Sequence, residues 1–203
     1  HMLEQPGPEP RPKRIPWVVL NGNTYHALRD LERRYEVVIV DAGGADSEEF
    51  TTATTTANAV YTCIVPSDCD LGTLPQVNAV IGRVRDLGRT DLIAKVVLNL
   101  CSNHPAATDV DEARVFVAEH APHFRCASSV IHHRDPFKQS YKARITVTEA
   151  ATMLDRRGRQ AAQKAADEVW RLFAEVAREV GVPVPDVQPV HSVPQVQEVH
   201  GDE

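Results

Sequence analysis

The 203-residue chain is long enough for one domain with a full hydrophobic core and too short for two comfortable ones. Its 42% hydrophobic and 25% charged residues are ordinary for a globular protein, and a formal net charge of −6 excludes a global field that gathers nucleic acid. No apolar run approaches the ~20 residues that cross a bilayer, and there is no secretory apolar region.

In chain order, His1-Met2 reads as a cloning remnant, and residues 3–14, with their four prolines, read as an extended linker. Ile15–Leu20 is a short apolar run of strand type, closed by the turn signal Asn21-Gly22-Asn23. Tyr25, Leu28 and Leu31 stand three apart and predict a short amphipathic helix over Thr24–Arg34. Val37–Val40 is a continuous β-branched run, the pattern of a strand buried on both faces.

Ser47 before Glu48 and Glu49 opens a helix to about Asn58, although its threonines at 51–56 are poor helix formers. Val60–Val65 is the next buried strand, stopped by Pro66. Apolar residues at spacings of three and four from Leu71 to Leu87 predict one long amphipathic helix. Ile93–Leu98 follows as a strand, Asp109–Glu119 as a helix and Phe124–Ile131 as a strand. The alanine-rich Gln160–Val180 is the last long helix. Strands that are apolar throughout, alternating with helices, define an α/β fold with a mostly parallel sheet covered on both faces.

The expected domain spans residues 15–181, and residues 182–203 form a proline- and valine-rich extended tail. Valine recurs there every third residue from Val184 to Val199, among Pro183, Pro185, Pro189 and Pro194, a period that fits polyproline II. Such a stretch reads either as a flexible tail or as a docking segment for a partner.

The cysteines, Cys63, Cys69, Cys101 and Cys126, have no C-x-x-C or zinc spacing and read as free thiols in a reducing cytoplasm. His120, His123, His132 and His133 lack an H-E-x-x-H or Cys/His framework, so they define no metal site.

In an open α/β sheet, ligands bind beyond the carboxyl ends of the strands. The residues there are Asp41-Ala42-Gly43-Gly44, Pro66-Ser67-Asp68, Asn99, and His132-His133-Arg134-Asp135-Pro136. Asp41 is the most informative. An apolar strand ending in Asp suits a carboxylate that orders water around Mg²⁺ beside phosphates, and the two glycines leave room for close backbone approach. The same position also suits a solvated Asp that begins a loop.

The stretch Arg34–Leu74 (RYEVVIVDAGG…ANAVYTCIVPSDCDLGTL) resembles the central part of the ParA/MinD group of P-loop ATPases. In that family a strand ends in the Walker B Asp, here Asp41. Lys95–Asn99 (KVVLN) is similar to the strand whose terminal Asn contacts adenine, and Ser129–Lys142 (SVIHHRDPFKQSYK) to the segment beside the nucleotide. The likeness covers residues 15–180 and extends to the C-terminal helix with Trp170 and Phe173. The usual Thr-Pro-Pro after the Walker B Asp is Ala42-Gly43-Gly44, and no Gly-Lys-Ser/Thr loop occurs in the 203 residues.

The resemblance therefore implies a P-loop NTPase-like domain, N-terminally truncated, whose missing central strand leaves an open groove and a rearranged or self-associating fold. It further implies ATP and Mg²⁺ as cofactors, with Asp41 catalytic and holding Mg²⁺ through water, and Asn99 with Asp135 or Pro136 at the adenine. The implied partners are non-specific DNA, a ParB-like protein and a second copy, without membrane attachment, in the cytoplasm.

Arg134, Lys138, Lys142 and Arg144, followed by Arg156, Arg157 and Arg159, are the expected DNA-binding cations. Phe137 and Tyr141, four apart, are expected to pack inward. As a fragment the chain is expected to be inactive. The alternatives are a non-catalytic interaction module that has lost the phosphate-binding loop and, last, a metabolic enzyme of the wider P-loop group.

Overall fold

The computed structural model describes residues 15–44, 47–153 and 156–184. Three strands form its sheet: β1 (Ala59–Ile64), β2 (Ile93–Cys101) and β3 (Arg125–His132), all parallel and in the order β1-β2-β3. Parallel neighbours need crossover connections, supplied here by α3 (Asp68–Leu71) with α4 (Leu74–Asp86), and by α5 (Asp109–His120). Ahead of β1 lie α1 (Tyr25–Glu32) and α2 (Glu48–Thr56); after β3 come α6 (Asp135–Ala143), α7 (Val147–Met153) and α8 (Arg156–Val180).

The central strand shows how the layers stack. Ala94, Val96 and Leu98 of β2 are buried with Leu74, Ile81 and Val84 of α4 and with Ala113 and Val117 of α5. On the opposite face Lys95 reaches Glu175 and Glu179 of α8. Helices thus cover both faces of a parallel α/β sheet. A second small core of Val147, Ala151, Ala162, Ala165 and Ala166, with Phe137 against it, joins α6, α7 and α8.

Several expectations are revised. The apolar runs Ile15–Leu20 and Val37–Val40 belong to no strand. A strand is held by ladder hydrogen bonds to a neighbour, and neither run has one; Trp17 is 85% exposed and Ile39 is 90% exposed. The helix expected from Leu71 to Leu87 is two, because Pro75 sits in the first turn of α4 and has no N–H with which to continue α3. β2 and β3 each run further than expected, α8 begins at Arg156, and α6 and α7 are additional helices.

The weak threonine helix does form. Ser47 caps it by accepting from the Phe50 N–H at 3.0 Å, and Thr51, Thr52 and Thr54 return their hydroxyls to carbonyls four residues earlier. The turn before α1 uses Gly22 at φ 66°, and Thr24 Oγ1 lies 2.9 Å from Thr52 Oγ1, which ties this turn to α2. The linker 1–14 and the valine tail from 185 onward lie outside the described residues. No described helix is long and apolar enough to cross a membrane.

Candidate functional site

The two edges of the sheet are built differently. At β3, carboxylates of α8 meet the strand's outward N–H groups. The ladder slips between β2 and β3, with Val96 opposite Cys126 but Leu98 opposite Val130, so β3 carries two extra residues within Ala127-Ser128-Ser129. Glu175 accepts the Ser128 and Ser129 N–H groups at 2.8 and 2.9 Å, and Glu168 accepts that of His132 at 3.1 Å. Glu168 also receives the His132 ring at 2.8 Å and the Arg134 guanidinium at 2.6 Å. Burial pushes the Glu168 carboxyl up, but the Arg134 and His132 hydrogen bonds outweigh it and hold the group below its ordinary value. Next to this cluster, Lys95 bridges to Glu179 at 2.8 Å, and Glu179 accepts the Tyr61 hydroxyl at 2.6 Å. Burial and the Glu179 carboxylate raise the Tyr61 phenol well above its usual range.

The β1 edge is open. Beside it lies a cleft of about 1240 Å³. One wall is Ala59–Cys63 of β1, and the facing wall is Val37–Gly44. Phe50 and Ala53 of α2 and Val77 of α4 close one side, while Val176 and Val180 of α8 line the other. Within a sheet covered on both faces, a strand residue fills roughly 160 Å³, from about 3.3 Å of rise, about 4.8 Å of strand spacing and about 10 Å of layer separation. By that measure the volume of the cleft is comparable to that of a strand of about eight residues.

Asp41 is exposed within this lining, together with Ala42, Gly43 and Gly44. A Cβ placed on either glycine would meet nothing within 4 Å, so the loop leaves open space for a ligand's approach. The other expected nucleotide residues lie elsewhere. Asn99 is half-buried in the irregular end of β2, followed by Leu100 at φ 54°. On the adjoining strand end, Asp135 opens α6 and Pro136 is buried in its first turn. The His133 N–H donates to the Cys101 carbonyl at 2.9 Å, which holds the two strand ends together. Asn99 thus stands near the end of β2 and Asp135 and Pro136 after the adjoining β3, and none of the three lines the cleft that holds Asp41.

The expected DNA-binding cations also divide. Arg134 is held by Glu168, with 21% of its side chain exposed, whereas Lys138, Lys142 and Arg144 are exposed on and just after α6. Arg159 is exposed; the side chains of Arg156 and Arg157 lie outside the described ones. Phe137 packs inward as expected. Tyr141 does not: it is 86% exposed, because Ser140 takes the buried position beside Phe137 and turns residue 141 outward.

Among the histidines, His132 serves Glu168, His120 stacks on Phe116 with ring centroids 4.3 Å apart, and His123 lies against Gly82. No three His, Cys, Asp or Glu side chains gather as a metal site among the described residues. All four cysteines are free.

Sequence reasoning missed the Glu168, Glu175 and Glu179 set. The available signal was carboxylates at i, i+7 and i+11 on an otherwise alanine-rich helix, a repeat that puts them on one face. No protein-family model matches the chain, and no curated protein matches it in sequence.

Proposed function

We propose that the chain is the larger part of a ParA/MinD-like partition ATPase, a nucleotide-dependent dimerisation switch that binds DNA without sequence preference. The supporting observation is the cleft beside β1, lined by residues of α2, α4 and α8 and by Asp41-Ala42-Gly43-Gly44. A phosphate-binding strand seated there would join Val37–Val40 to β1 in a continuous sheet. Its following loop, with backbone N–H groups and a lysine, would supply the phosphate cradle that the 203 residues lack.

In this reading Asp41 orders water around Mg²⁺, and Asn99 with Asp135 or Pro136 borders the adenine. Lys138, Lys142 and Arg144 meet DNA phosphates. The partner is a ParB-like protein, and the setting is the cytoplasm. The residues described do not by themselves fit ATP, because Asp41 stands without a phosphate cradle, so no hydrolytic step belongs to them alone.

Calorimetry with Mg-ATP tests the proposal, using this chain beside the product of its full reading frame. The expected result is binding by the longer product alone, with affinity lost on Asp41→Ala. If the full frame encodes no Gly-Lys-Ser/Thr strand, or its product does not bind, the ATPase reading fails. The non-catalytic interaction module, which the missing loop favours, then takes its place.

A further inference from the structure

The outer face of α6 is unusual in this acidic protein. From Asp135 to Ile145 there are three cations and one acid, Asp135 at the start of the helix, against a net charge of −6 for the chain. Lys138, Tyr141 and Lys142 stand at i, i+3 and i+4, the spacing that puts side chains on one helix face. All three are exposed, as is Arg144 at the helix end. Tyr141, at 86% exposure, is the most exposed tyrosine among the described residues, while Phe137 of the same helix is packed against α7 and α8. The aromatic ring thus projects from the flank of a helix anchored through Pro136, Phe137 and Ser140, with cations beside it. Arg134 does not add to this face, because Glu168 holds it.

We propose that this face is a binding site for single-stranded nucleic acid, with an unpaired base stacked on Tyr141 and its neighbouring phosphates met by Lys138, Lys142 and Arg144. A cation-flanked aromatic is the element that distinguishes unpaired strands from duplex, because a duplex offers its phosphates but not its base faces. An anionic membrane is the poorer fit. Interfacial helices insert an apolar face, and the apolar residues of α6, Pro136 and Phe137, face the protein. The inference extends the DNA-binding half of the function proposed above and rests on nothing in its ATPase half.

The test is fluorescence anisotropy of the 203-residue protein, without nucleotide, against labelled oligo(dT), oligo(U) and a duplex of equal length. Tyr141→Ala is expected to weaken both single strands about tenfold or more while leaving the duplex within about twofold, and Tyr141→Phe to keep the single-strand affinity. Changing Lys138 and Lys142 together to Gln is expected to weaken every oligonucleotide and reduce the salt slope by about 2. The dT and U arms decide whether DNA or RNA is preferred. Equal loss on duplex and single strand, no loss for Tyr141→Ala, or binding to anionic vesicles and to no oligonucleotide would each overturn the inference. Because no ATP is present, failure of the ATPase reading leaves this result unaffected. Tyr141 is too exposed for its replacement to threaten the fold, and circular dichroism confirms that in the same samples.

Discussion

Glu168 shows how much one side chain decides in this fold. It is 7% exposed and accepts from a backbone N–H, an imidazole and a guanidinium, so that its charge is matched by hydrogen bonds on an otherwise buried helix face. Replacing it by Gln leaves the Arg134 charge short of its partner and costs about 2–3 kcal/mol in a urea titration. The pH dependence follows from the same contacts. Glu168, Glu175 and Glu179 are all held below the ordinary carboxylate value of 4.5. A lowered folded pKa means that the unfolded chain takes up protons first. The stabilisation is therefore complete above pH 4.5 and drains away as pH falls through the folded values. Urea midpoints measured against pH should fall on that acid limb, and the fall should be shallower in Glu168→Gln.

The thiols divide in the same physical terms. Cys101 is fully buried, and burial, with the Asp109 charge behind it, pushes its thiol up to about 11. At mildly alkaline pH it should react with a maleimide at least roughly tenfold more slowly than the exposed Cys69, read by mass spectrometry of tryptic peptides.

At the scale of elements, α7 and α8 pack through small residues, with Ala151, Ala162, Ala165 and Ala166 buried beside Val147. Small residues let two helices approach closely, and a larger one has no space to enter. Ala165→Leu is expected to destabilise by about 1–3 kcal/mol, with a lower urea midpoint as the readout.

β1 and β2 were legible as short apolar runs, α4 as spacings of three and four, and α8 as an alanine-rich stretch. The runs Ile15–Leu20 and Val37–Val40 carry the same strand signal and form none. Pattern records what a segment would bury, whereas a ladder also needs a neighbour, and that neighbour is not written in the segment. The α3–α4 break was readable from Pro75 and the cap of α2 from Ser47. The bulge at Ser128-Ser129 was not, since the carboxylate that accepts its N–H groups, Glu175, lies far along the chain.

For the whole molecule, the contrast between the edges is the informative feature. An exposed sheet edge is a hazard that folds manage explicitly. Here α8 closes the β3 edge with carboxylates, while the β1 edge faces a walled cleft lined with valines. The place of Asp41 after an apolar run and that of Asp135 and Pro136 beyond β3 were legible, whereas Asn99, expected just past a strand, lies within β2. That Asp41 alone of the four lines the cleft was not legible, because it depends on how chain segments are placed in three dimensions. Nor was the outward turn of Tyr141, which follows from the burial of Ser140.

In the proposed function the cleft receives a strand. In the 203-residue chain Cys63 lines that cleft and is exposed. Occupation should therefore shield its thiol and slow its alkylation by at least about tenfold.

Amide hydrogen exchange compares the two forms most directly, with this chain measured beside the product of its full reading frame. Alone, the chain should exchange rapidly throughout Val37–Val40, which has no ladder, and slowly across β2, which is paired on both sides. In the longer product Val37–Val40 should acquire protection approaching that of β2, as a segment paired within a closed sheet. Fast exchange at Val37–Val40 in both forms would contradict the account.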